Sequence, residues 1–142
     1  MRVTVIGTGY VGTVTGACLA YLGHHVTCVD TDASKIARLQ RGESPIYEPQ
    51  LEQMLALGAA RGGLGFTTEL AAAVGPSDVV FIAVGTPPLP SGEANLAYLE
   101  AAAKGIAVEV APFERWETGS AGKAWASYLR KRFSVSRPRG GA

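Results

Sequence analysis

The 142 residues are 47% hydrophobic and 18% charged, with a net charge of +1, a composition that suits one buried core and excludes a disordered chain. The balanced charge argues against nucleic-acid binding, two cysteines make neither a disulfide framework nor a metal site, and no apolar run reaches the length of a membrane span. The first residues enter a strand pattern at once and leave no room for a signal peptide, so a reducing, cytoplasmic setting is expected.

In chain order, "RVTVI" at 2–6 reads as a short buried strand, β-branched and unbroken. Residues 10–22 read as a helix closed by Gly23, and "HVTCVD" at 25–30 as a second strand. Asp32 is placed to cap a helix running to about Gln40, with Gly42 beyond its end. "EPQLEQMLALGAA" is helical, with Pro49 in its first turn and Leu51, Met54 and Leu55 on one face. "LGFTT" is a third strand, "ELAAAV" a brief helix, and "DVVFIAV" at 78–84 a strand apolar on both faces. "GTPPLPSG" is a loop, and "NLAYLEAAAKGIAVEV" resumes helix from Asn95. Alternating strands and helices imply an α/β fold, a doubly wound parallel sheet of Rossmann type, and right-handed crossovers give the order 3-2-1-4.

Charge changes near residue 107. Residues 1–106 hold 6 Lys/Arg against 9 Asp/Glu, whereas residues 107–142 hold 7 against 3 and both tryptophans. Residues 1–107 are therefore expected to form the folded domain, with 108–142 a basic tail. Within it Ser120 is placed to cap a helix bearing Ala121, Ala124, Trp125, Tyr128, Leu129 and Phe133 on one face.

The strand–turn–helix at the start carries Gly7, Gly9 and Gly12 in the spacing G-x-G-x-x-G, the dinucleotide fingerprint. Gly7 allows the tight turn, Gly9 lets backbone approach a pyrophosphate, and Gly12 lets the helix pack closely on the sheet. The N–H groups and dipole of the helix start would hold the phosphates. Asp30, 18 residues past Gly12, ends the second strand, where its carboxylate can accept both ribose hydroxyls and repel a 2′-phosphate. NAD is thus favoured over NADP, while FAD shares the fingerprint and remains the competing cofactor. The loop "VGTPPLPSG" follows the strand expected beside the first, so Gly85, Thr86 and Pro87 would face the cofactor from the opposite side.

Three stretches together, "MRVTVIGTGYVGTVTGACLAYLGHHVTCVDTDASKI", "LQRGESPIYEPQLEQML" and "DVVFIAVGTPPLPSGEANLAYLEAAAKGIA", resemble the N-terminal NAD-binding domain of the UDP-glucose/GDP-mannose dehydrogenase family, nearest its UDP-glucose 6-dehydrogenases. The likeness covers about residues 1–107, and "GxGYVG", "SPIYEP" and "VGTP" in this order are far rarer than the glycine triplet alone. It implies that Gly7, Gly9, Tyr10, Val11 and Gly12 line the NAD pyrophosphate, that Asp30 binds the adenosine ribose with Lys35 along its edge, and that Thr86 lies near the nicotinamide. "SPIYEP" would border the active cleft. Asn95 departs from the aspartate usual there, which puts any role at that position in doubt.

The resemblance further implies a nucleotide-sugar substrate, its primary alcohol oxidised twice to a carboxylate with reduction of two NAD, through a cysteine thiohemiacetal and thioester. The family's catalytic residues lie beyond residue 142, and no cysteine loop here matches them. Cys18 falls in the first helix and Cys28 in the second strand, where both read as core residues. His24 and His25 read as turn residues, and Glu48 as an acid at the start of a helix. No catalytic residue and no metal ligand is assigned. The family's next strand, with a "KSTVP"-like segment, is absent. Two explanations stand: a change of reading frame near 107, giving a truncated product, or a tail that is a genuine substitute element. Three functions follow. The chain is the NAD-binding part of a UDP-glucose 6-dehydrogenase-like enzyme, incomplete for catalysis alone, or it is a non-catalytic dinucleotide module whose tail docks on a partner or a second copy. The third is a different NAD(P) or FAD enzyme that shares only the fingerprint, since fold does not fix function.

Overall fold

The computed structural model describes residues 1–110. The order of elements is β1 (Arg2–Ile6), α1 (Tyr10–Tyr21), β2 (His25–Val29), α2 (Ala33–Gln40), α3 (Leu51–Ala60), β3 (Leu64–Thr67), α4 (Leu70–Val74), β4 (Val79–Ile82) and α5 (Ala97–Val110). The four strands are all parallel and lie in the order β3-β2-β1-β4. That is the α/β Rossmann-type sheet the sequence predicts. The helix expected from Ser120 lies outside the described residues.

The two faces of β1 separate the core into two parts. Val3 and Val5 point toward α1 and α3, where they meet Ala17, Ala20, Val26, Cys28, Leu51, Leu55 and Leu64, with Leu39 added from α2. On the other face Ile6 packs with Val74 of α4 and Ala102 of α5. Thr4 also points there and is fully buried. It is tolerated because its hydroxyl donates to the Ala73 carbonyl over 2.9 Å and lies 2.6 Å from the Ser77 hydroxyl. Small residues bring α1 close to the sheet: a Cβ on Gly16 would lie 2.5 Å from the Cys28 sulfur. Strand and helix backbones therefore approach within a distance only glycine permits.

Local chemistry sets the element ends. Gly23 turns the chain at φ +96 after α1. Asp32 caps α2 by accepting from the N–H groups of Ser34 and Lys35. One expectation is corrected: Pro49 is not in the first turn of α3. It precedes Gln50, which has φ 69 and stands just before the helix. The Leu51 N–H donates back to the Glu48 carbonyl over 3.1 Å, so residues 48–51 form a type II-like turn with proline in its favoured second place. A second difference concerns β4, whose apolar run predicts burial on both faces. It is an edge strand among the described residues, and Phe81 and Ile82 are 43% and 36% exposed.

Candidate functional site

The end of β1, the start of α1, the end of β2 and the loop after β4 converge at the carboxyl edge of the sheet. Here the strand order reverses, because β1 sends its chain outward to β2 on one side while β4 lies on the other. Gly7 leaves β1 at φ +100, and its N–H donates to the Val29 carbonyl over 2.7 Å. A Cβ there would lie 2.6 Å from the Ala83 carbonyl oxygen, so the glycine turn rests against the chain leaving β4. A Cβ on Gly12 would collide with the Gly7 carbonyl. Gly12 therefore packs against the loop's own backbone as well as beside the sheet. Gly9 differs from both, with open space where its Cβ would be.

Helix α1 begins immediately after Gly9. It has no side-chain cap and no acid in its first turn. An α-helix supplies no internal acceptor for its first N–H groups, so those of Tyr10, Val11 and Gly12 are left to solvent or to an external acceptor. The side chains of Tyr10 and Val11 are exposed beside them.

Asp30 lies just past β2, with its side chain 12% exposed. Its Oδ2 accepts from the Thr8 N–H at 2.8 Å and the Thr8 hydroxyl at 2.7 Å, and its Oδ1 accepts from the Asp32 N–H at 3.0 Å. The Lys35 ammonium stands 3.9 Å from Oδ2. Burial by itself would raise the Asp30 carboxyl, but the bonds from Asp32 and Thr8 and the charge of Lys35 outweigh it and hold the group below the usual carboxylate range. A permanent negative charge therefore sits at this edge near neutral pH.

Gly85, Thr86 and Pro87 follow β4 and are exposed. The loop beyond them folds back on itself, with the Leu89 N–H on the Glu93 carbonyl at 2.7 Å and the Asn95 N–H on the Pro87 carbonyl at 2.8 Å. Asn95 also anchors the start of α5, where its Oδ1 accepts from the Ala97 N–H at 3.0 Å.

The structure thus gathers Gly7, Gly9, Tyr10, Val11, Gly12, Asp30, Lys35 and the loop of Gly85, Thr86 and Pro87 at one edge. His24 and His25 stand at the opposite end, where β2 begins. Cys28 is fully buried, and burial pushes its thiol up to about 12. Glu48 does more than precede a helix: its carboxylate accepts from the Tyr10 hydroxyl over 2.6 Å, tying the "SPIYEP" segment to the first turn of α1. That bond and the negative charge of Glu48 raise the Tyr10 phenol. Thr8, to which the sequence alone assigns no role, is buried between the glycine turn and Asp30. Its one signal is a hydroxyl residue inside the glycine triplet. Among the described residues, no cluster of three histidine, cysteine or acidic side chains could hold a metal, and no helix is long and apolar enough to cross a membrane.

The molecule is similar to solved dehydrogenases over this region. It superposes on a ternary complex of GDP-mannose dehydrogenase from Pseudomonas aeruginosa with a TM-score of 0.76 at 40% identity, covering 84% of this chain and 26% of the other. A UDP-glucose dehydrogenase from Pyrobaculum islandicum gives a TM-score of 0.74 at 44% identity, over 76% of this chain and 25% of the other. A UDP-glucose 6-dehydrogenase of Bacillus subtilis is 51% identical over 110 residues, which is 78% of this chain and 25% of the relative. The chain spans about a quarter of the length of the curated relatives it matches. The family model for the NAD-binding domain of the UDP-glucose/GDP-mannose dehydrogenases matches residues 1–112. The chain belongs to the UDP-glucose/GDP-mannose dehydrogenase family, and the matched residues are that family's NAD-binding domain.

Proposed function

We propose that this chain supplies the NAD-holding part of an oxidoreductase that converts UDP-glucose to UDP-glucuronate with two NAD. The observation that carries the reading is the open cradle at Gly9 beside the uncapped start of α1. A dinucleotide pyrophosphate needs both: space for close backbone approach and free N–H donors. The N–H groups of Tyr10, Val11 and Gly12 would bind the diphosphate, Asp30 would accept from the adenosine ribose, and Lys35 would border it. Gly85, Thr86 and Pro87 would flank the nicotinamide half. Bound NAD would supply the hydride acceptor for alcohol oxidation. This chain's own residues bind and orient it, and they bring no thiol to the reacting carbon: Cys28 is in the core, and Cys18, half-buried and not in the core the sequence predicts for it, lies toward the end of α1 away from the glycine loop.

That placement of the cysteines favours a second reading for the chain by itself: a dinucleotide-binding module that completes a site only with further protein. The boundary near residue 107, the basic tail over 108–142 as a docking element for a partner or a second copy, and a cytoplasmic setting belong to this reading. Calorimetric titration of NAD and NADP into the purified chain tests the cofactor assignment. NAD is expected to bind in a saturable way and NADP much more weakly; equal affinities would remove Asp30 from the ribose.

A further inference from the structure

The hydrogen bonds around Asp30 leave it less free than an acid at a strand end is expected to be. An ionised carboxylate has about four lone-pair sites and accepts only. Thr8 fills two on Oδ2, with its N–H at 2.8 Å and its hydroxyl at 2.7 Å, and the Asp32 N–H fills one on Oδ1. One site remains, on Oδ1. A ribose diol presents two hydroxyl donors, so Asp30 can take one of them directly without giving up a bond to Thr8. Thr8 is itself fixed: it is 1% exposed, and its carbonyl accepts from the Thr13 hydroxyl over 3.0 Å inside α1. The glycine turn therefore sets the rotation of a carboxylate 22 residues away.

We propose that Thr8 is a positioning residue that sets cofactor choice: its hydroxyl fixes the Asp30 carboxylate so that Oδ1 is held for a ribose hydroxyl and its charge is held against a 2′-phosphate. This rests on the dinucleotide reading above. The bond is short and charge-assisted, the class of hydrogen bond that most strongly restrains a carboxylate. Without the hydroxyl, the carboxylate turns more freely toward the Lys35 ammonium, 3.9 Å away. Its negative charge is then partly neutralised, and its acceptor geometry for ribose is lost.

The test is calorimetry of NAD and NADP with the wild-type chain, Thr8→Val, Thr8→Ser, Asp30→Ala and the double variant Thr8→Val/Asp30→Ala. Thr8→Val keeps the shape of the side chain and removes the donor. It is expected to weaken NAD roughly tenfold, in line with loss of a hydrogen bond to a charged group, and to weaken NADP less, so the NAD/NADP affinity ratio falls. Thr8→Ser is expected to restore the ratio. In the Asp30→Ala background, Thr8→Val is expected to leave the ratio unchanged, because Thr8 acts through that carboxylate. A purely structural role would weaken both cofactors by one factor and leave the ratio alone. An unchanged ratio in Thr8→Val overturns the proposal while the dinucleotide reading stands, as does an equal shift of the ratio with and without Asp30. Absence of NAD binding by the wild type overturns both. Should Thr8→Val not fold, Thr8→Ala reads the same ratio with a smaller side chain in the same niche.

Discussion

The carbonyl oxygen of Gly7 occupies the place where a side chain on Gly12 would begin. The two glycines close the turn between β1 and α1 on itself, and neither backbone can yield without moving β1 or α1. Gly12→Ala is therefore expected to destabilise the chain by about 2 kcal/mol or more, as overpacking a rigid contact does. Urea unfolding of the variant beside the wild type measures this. A loss below about 0.5 kcal/mol would mean that the turn relaxes at little cost.

Asp30 gives a pH prediction. Its folded-state carboxyl lies below the ordinary value, so its contribution is complete above the unfolded value of about 3.9 and is lost as pH falls through the lower folded value. Asp30→Asn, which leaves the Thr8 donors facing a weaker acceptor, is expected to cost about 1–3 kcal/mol at neutral pH. The cost should hold from about pH 8 down to about pH 5 and shrink only in stronger acid. Denaturant unfolding of both proteins across that range checks it. A cost that fades already above pH 5 would contradict the direction of the shift.

The cysteines supply a prediction about reactivity and turnover. With its thiol pushed up to about 12 by burial, Cys28 is almost wholly protonated at neutral pH and cannot serve as a nucleophile. A thiol reagent is expected to reach it only after denaturant is added. The chain alone is expected to form no NADH from UDP-glucose and NAD, since neither cysteine is placed to hold a thioester and only one reactant is oriented. Sustained NADH formation that Cys18→Ser or Cys28→Ser abolishes would contradict this.

Local signals made most of the fold legible. The β-branched run at 2–6, the cap at Asp32 and the closing glycine at 23 each act within a few residues, and β1, α2 and the end of α1 follow them. The strand order followed from the handedness of crossovers, which needs no side-chain detail. What escaped depends on contacts between distant residues or on unusual backbone. The Tyr10–Glu48 bond joins residues 38 apart, and the Thr8–Asp30 pair joins residues 22 apart, so no periodicity reveals either. Gln50 adopts a left-handed conformation that glutamine does not advertise, which displaced Pro49 from the helix. The exposure of Phe81 reflects the place of β4 at the edge of the sheet that the described residues form, a property of the neighbours and not of its own apolar run.

The most direct measurement compares the wild-type chain with Gly9→Val for NAD binding and thermal stability. Gly9 has φ −73, which valine can adopt, and a Cβ there has open space around it. The added side chain fills the cradle where a pyrophosphate would lie. The expected result is an unfolding temperature within a few degrees of the wild type in the absence of cofactor, about 1 kcal/mol at most, with NAD raising that temperature for the wild type alone. A Gly9→Val chain that NAD still protects as well as the wild type would contradict the placement of the dinucleotide at this loop.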